Sequence, residues 1–171
     1  LESMEISSIQ CNGDETGVIS IAATGGSDGF SYTLGSETNM TGVFMDLPAG
    51  SMMIEVTDQN GCSESIEVTL DQPEAIASSS SSTNNSCEGM MIGTANANAS
   101  GGTGVLSYSL DNMTNDTGLF ENLAAGSYDI VITDENNCSV VETVFISNDI
   151  NLQLSLVDSA SPTCNDTEDG M

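Results

Sequence analysis

The sequence contains no lysine, no arginine and no histidine, against 26 aspartates and glutamates in 171 residues, for a formal charge of −26 at pH 7. Phosphate backbones are gripped by lysine and arginine, so the chain has no means of binding nucleic acid. Adhesion to an anionic bilayer surface is excluded for the same reason. Without histidine or lysine, most general acid–base, Schiff-base and histidine–metal chemistry is missing. No salt bridge or cation–π pair can form between side chains of this chain, so its charge is relieved only by counter-ions, water or another molecule. Tryptophan is absent as well, aromatics are 4% and prolines number 3. No apolar run is long enough to span a bilayer, and we expect no membrane insertion in this segment. The chain opens on Leu1 without a leader, and we read it as a piece of a longer protein.

What is present points to an ordered all-β chain. Serine, threonine and asparagine make up about a third of the residues and 17 glycines add further turn formers. Valine, isoleucine, leucine and methionine nonetheless recur in patterns, unlike a disordered acidic tail.

A gapless shift of 76 positions aligns the chain with itself. Cys11 then falls on Cys87, Cys62 on Cys138, Gly25-Gly26 on Gly101-Gly102 and Tyr32 on Tyr108. Gly42-Val43-Phe44 falls on Gly118-Leu119-Phe120, and Val56-Thr57-Asp58 on Ile132-Thr133-Asp134. A third copy starts near Asn151 and reaches Cys164, where CNDTEDGM echoes the CNGDETGV that begins at Cys11. The predicted organisation is one β-sandwich repeat over residues 1–72, a second over 73–148, and the start of a truncated third over 149–171.

Within each unit, short strands alternate with turn signals, as in a sandwich. Ile19, Ile21 and Ala23 alternate before Gly25-Gly26. Met52, Ile54 and Val56 alternate more cleanly, and Asp58-Gln59-Asn60-Gly61 then reads as a hairpin turn, with the aspartate accepting local backbone bonds. Ile66, Val68 and Leu70 close the unit, and Pro73 marks its boundary. The second unit has weak points: Ala95 and Ala97 stand where isoleucines stood, and Glu142 replaces Ile66. The run Ser78 to Ser82 has two readings, a flexible linker or a polar opening strand, and corresponding segments elsewhere favour the strand. The expected fold class is all-β, as tandem Ig-like, fibronectin-III-like antiparallel sandwiches.

Five cysteines suggest an oxidising compartment. Cys11 precedes Cys62 by the same interval that separates Cys87 from Cys138. Pairing within units bonds Cys11 to Cys62 and Cys87 to Cys138, leaving Cys164 alone. Pairing between units bonds Cys62 to Cys87 and Cys138 to Cys164, leaving Cys11 alone. The count does not separate them; closure of one small domain is the commoner arrangement and is the expectation here. A catalytic thiol has no histidine to activate it, and no enzymatic activity is expected.

Acidic loops raise the question of calcium, a hard cation that takes carboxylate and carbonyl oxygens. Asp14, Glu15, Asp58 and Asp134 are the candidate ligands. The second unit has Met90 and Met91 in place of Asp14 and Glu15, and turns select aspartate without any metal. The expectation is therefore no cofactor, with calcium as the one alternative. Triplets such as Asn39-Met40-Thr41 are weak glycosylation signals in so asparagine- and threonine-rich a chain.

The run CNGDETG, the Gly-Gly pair before an aromatic segment, and LPAGSMMIEVTDQNGC together resemble the SprB repeat; LAAGSYDIVITDENNC stands in the same place in the second unit. Met52 departs from the tyrosine of that pattern, Asn137 from its glycine, and the family's tryptophan is missing. The resemblance implies a place in a giant surface protein of Bacteroidota, of the kind that includes gliding-motility adhesins, exported by the type IX system to the bacterial cell surface. It implies a structural stalk or spacer whose partners are neighbouring repeats and an extracellular surface or polysaccharide. The alternative is a calcium- or glycan-binding module whose loops contact the ligand directly.

Overall fold

The structure, a computed structural model, describes residues 2–149 except 28, 88 and 90. The expected third repeat, over 149–171, lies outside the described residues except for Asp149. Strands β1 (Ser3–Ser7), β2 (Gly17–Ala22), β3 (Ser31–Leu34), β4 (Glu37–Asn39), β5 (Val43–Leu47), β6 (Gly50–Thr57) and β7 (Ser63–Leu70) build the first unit. Strands β8 (Ala77–Thr83), β9 (Gly93–Ser100), β10 (Ser107–Leu110), β11 (Met113–Asn115), β12 (Leu119–Leu123), β13 (Gly126–Thr133) and β14 (Ser139–Ile146) build the second. Strand starts at 17, 31, 37, 43, 50 and 63 recur at 93, 107, 113, 119, 126 and 139, each 76 positions on. No helix occurs among the described residues.

Each unit is a three-stranded sheet facing a four-stranded one. The orders are β1-β2-β5 against β4-β3-β6-β7, and β8-β9-β12 against β11-β10-β13-β14. This is an all-β, Ig-like sandwich in which the fourth strand pairs with the third instead of joining the first sheet. No named strand of one unit pairs with a strand of the other.

Strand alternation puts one face of every central strand into a core. The first core is built from Ile19, Ile21, Tyr32, Phe44, Ile54, Val56, Val68 and Leu70 with Leu47. The second takes Ala95, Ala97, Tyr108, Phe120, Ile130, Ile132, Val144 and Ile146 from matching positions. Phe44 and Phe120 are both closed off from solvent, as are Val56 and Ile132. Between β4 and β5, the Asn39 side-chain oxygen accepts from the backbone N–H groups of Thr41 and Gly42. Asn115 repeats this loop with Thr117 and Gly118. The Asn39-Met40-Thr41 triplet thus forms an asparagine turn in the first unit.

The serine run is a strand: β8 pairs with β9 along its whole length, and the connection between units is the shorter stretch 71–76. Glu142, which reads as an intruder in an apolar pattern, is met by that same strand. The Ser78 and Ser80 hydroxyls donate to its two carboxylate oxygens at 2.6 and 2.7 Å. Those two bonds, Ser78 first, hold the Glu142 carboxyl below its usual pKa of 4.5 against desolvation.

Candidate functional site at the junction of the two sandwiches

The cysteine pairing differs from the expectation. Cys11 is bonded to Cys138, 127 residues away, while Cys62 and Cys87 are free and exposed. Neither Cys11–Cys62 nor Cys87–Cys138 forms, and Cys62 is not joined to Cys87 either. Strand geometry explains this. The Cys11 loop, between β1 and β2, lies at the end of the sandwich where Gly17 pairs with Leu47 and β7 finishes. Cys62 sits in the β6–β7 turn at the opposite end. Eight residues of β7 at about 3.4 Å each separate the two ends by roughly 25 Å. A disulfide tolerates a Cα separation of only about 7 Å. The two ends of different units do meet, and the Cα atoms of Cys11 and Cys138 are 5.5 Å apart.

The junction is built from three pieces. The first is the Cys11 loop, pinned to the connector by Asn12 Nδ2 donating to the Pro73 carbonyl at 2.8 Å and by Gly13 N–H donating to Gln72 Oε1 at 2.8 Å. The second is the connector, which lies on the second unit. Gly102 N–H donates to the Glu74 carbonyl at 2.9 Å, and Ile76 packs against the second core. Gly101 is a glycine because of this approach: a Cβ there would stand 2.1 Å from the Ala75 carbonyl oxygen. The third is the β13–β14 turn, where Asn136 Nδ2 reaches back to the Gln10 carbonyl at 3.0 Å. The bridge, the connector and this bond all cross between the units.

Asp134 organises that turn. One carboxylate oxygen accepts from the N–H groups of Asn136 and Cys138, both at 2.9 Å, and the other from Thr103 N–H at 2.9 Å. Burial, the largest single influence, pushes the carboxyl up; the three bonds to Thr103, Cys138 and Asn136 together outweigh it and leave the pKa below 3.8. Asp58 does the same in the first unit, accepting from Asn60, Cys62 and Ser27. The N–H of Ser27, followed by that of Cys62, contributes most to lowering its pKa.

The four candidate calcium ligands are therefore placed as follows. Asp58 and Asp134 each spend one oxygen on backbone N–H groups of their own turn and the other on an N–H of the adjacent loop, at Ser27 and Thr103. Asp14 and Glu15 are exposed on the Cys11 loop. Asp14 and Asp134 line one junction cleft of about 380 Å³ together with Glu74, and Asp58 lines a different cleft. Among the described residues no three acidic or cysteine side chains gather in a way that would hold a metal ion.

The junction's signals in the sequence were the Gly-Gly pairs and the segment Pro73–Ile76, which read only as a turn and a boundary. Equal spacing of the cysteines fits a bridge within a unit and a bridge to a neighbour equally well, so spacing alone does not find the partner.

Residues 3–39 match the SprB repeat. The SprB repeat stretch runs from β1 to β4, and therefore contains the Cys11 loop that carries one half of the junction. SprB repeats belong to cell-surface proteins, and a disulfide accords with an environment outside the cell. No curated protein matches the chain. Among solved structures the chain is similar to the N-terminal four Ig domains of Dscam1 isoform 8.4, at 13% identity and a TM-score of 0.34, over 70% of this chain and 37% of that one. Isoform 9.44 of the same four domains gives 12% identity and a TM-score of 0.34, over 70% and 36%. The chain thus spans little more than a third of the length of these structures.

Proposed function

We propose that this segment is a non-enzymatic spacer in a long bacterial cell-surface adhesin, with the gliding-motility type as the closest class. The observation that carries this reading is the junction: two sandwiches are joined end to end by a covalent bridge, a seated connector and a side-chain bond. Such a joint sets the distance and direction from one unit to the next, which is what a stalk requires. The loops support the same reading from the other side. Asp14 and Glu15 in the first unit correspond to Met90 and Met91 in the second, whereas a calcium or glycan site shared by all repeats needs the same ligands in each. The absence of lysine and arginine removes every site for trypsin-like proteases, a benefit outside a cell. The partners are neighbouring repeats and, through other parts of the protein, a polysaccharide or other extracellular surface. Export by the type IX route is part of this proposal.

Attachment of cells expressing the full-length protein tests the reading. Replacing Asp14 with Asn and Glu15 with Gln should leave attachment intact, and deleting residues 73–148 should shorten the projecting fibre without abolishing adhesion. If the two loop substitutions alone eliminate attachment, or the chain binds calcium stoichiometrically and loses thermal stability on chelation, the loops are the adhesive element and the spacer reading fails.

A further inference from the structure

The two units differ in one respect that the shift of 76 makes visible. In the second unit, the end carrying Asp134, Gly101-Gly102 and Cys138 is covered by the Cys11 loop and the connector. In the first unit, nothing among the described residues covers the same end in this way. A Cβ on Gly25 meets nothing within 4 Å, where one on Gly101 meets the connector. Asp58 is half-buried where Asp134 is buried. Asn60 Nδ2 turns inward to the Ser27 hydroxyl at 2.6 Å, where Asn136 reaches across to Gln10. A cleft of about 540 Å³ opens there, lined by Ala23, Gly26, Phe30, Val56, Cys62 and Ile66 among others. Its apolar wall corresponds to the surface on which Ile76 lies in the second unit.

We propose that this cleft is the seat for the connector of a preceding repeat, and that Cys62 and Cys87 are the two open halves of the bridge seen at Cys11–Cys138. The occupant is a second copy of this kind of unit: its connector, of the Pro73–Ile76 type, lies over Gly25-Gly26, and its Cys11-type thiol bonds to Cys62. At the other end Cys87, equivalent to Cys11, takes the turn cysteine of a following repeat. The interface is heterologous, with different surfaces meeting at each joint, so it does not close on itself and extends as a filament. Each new bridge forms as two thiols lose two protons and two electrons to a disulfide oxidant of the glutathione class; the S–S bond of that oxidant breaks to two thiols as the protein bond forms. The inference rests on the chain's being part of a longer array, and not on whether that array is a passive spacer.

A chain in which residues 1–76 are duplicated ahead of Leu1 tests this, because residue 77 corresponds to residue 1 and the register is kept. Ser63→Ala in the second copy marks its turn peptide. Folded in an oxidised/reduced glutathione buffer, the lengthened chain should show the first copy's Cys11 bonded to the second copy's Cys62 on non-reducing peptide mapping. The second copy's Cys62 should lose its reactivity towards thiol reagents, and the first copy's Cys62 should keep it. Closure of Cys11 onto Cys62 of its own copy, or a second-copy Cys62 as reactive as in the present chain, would overturn the proposal. As a check that does not need the longer chain, Cys11→Ser in the present chain should make Cys138 as reactive as Cys62; a Cys138 that stays protected would remove the basis for the equivalence. Loss of adhesion in the loop variants alongside a correct bridge map would sink the spacer reading alone.

Discussion

At the residue scale, small and acidic side chains carry most of the local information. Asp58 and Asp134 were legible as turn residues, because aspartate followed by asparagine and glycine, or by asparagine alone, is a turn signal. The residue Asn137 stands where Gly61 does and takes the same left-handed backbone, at φ 67° against 83°, which asparagine tolerates better than most residues. The role of Glu142 was not legible, because its partners Ser78 and Ser80 lie more than 60 residues away on another strand. Asp58, Asp134 and Glu142 each have a folded pKa below the unfolded one. Their contribution is therefore complete above the unfolded value, near pH 4, and is lost as pH falls through the lower folded values. In acid titrations followed by circular dichroism, Asp134→Asn should weaken this limb, since the amide presents a donor to Thr103 N–H; an unchanged acid limb would mean the turn does not depend on the carboxylate. Gly118, at φ 72°, would place a Cβ 2.1 Å from the Ala97 carbonyl oxygen. Gly118→Ala should cost about 2 kcal/mol or more by chemical denaturation, and a cost within experimental error would contradict the close packing of that loop.

At the element scale, the strands were the most readable part of the chain. Alternation at Met52, Ile54 and Val56 and at Tyr128, Ile130 and Ile132 marks β6 and β13, because one sheet face must be apolar. The shift of 76 carried this reading from one unit to the other. The serine strand β8 was harder, having no apolar face of its own; it is held by the ladder to β9 and by hydroxyl bonds to β14. Its pairing with Glu142 implies coupling between the two elements. Glu142→Gln should lower stability in the native chain, and the loss should shrink when Ser78 and Ser80 are both alanine. A double-mutant cycle by urea denaturation measures this; strict additivity would show that the hydroxyls and the carboxylate act independently. The junction was the least readable element. Connectors carry little periodicity, and which turn lies beside which loop is decided by how the two sandwiches stack, a relation that has no pattern along the sequence.

At the scale of the whole molecule, charge and the joint dominate. All 26 ionisable acidic side chains carry the same sign and no cation answers them. Added monovalent salt at pH 7 should therefore raise the melting temperature, because screening, which acts beyond about 8 Å at physiological salt, has only repulsions to remove. A fall in melting temperature with salt would show that attractive electrostatics, and not self-repulsion, govern the fold. Each sandwich has its own core, so the bridge between them is not needed to fold either one. What it controls is the freedom of one unit relative to the next. The exposed thiols of Cys62 and Cys87 mark the two far ends of the pair and accept spin labels without substitution there, once Cys164 is replaced by serine. The distance distribution between these labels by pulsed electron resonance is the most direct measurement of the joint. A rigid joint predicts one narrow distribution with the Cys11–Cys138 bridge intact, and a broad one when Cys11 and Cys138 are both serine. A distribution equally broad with and without the bridge would contradict it, since the two sandwiches would then be independent beads on a flexible connector.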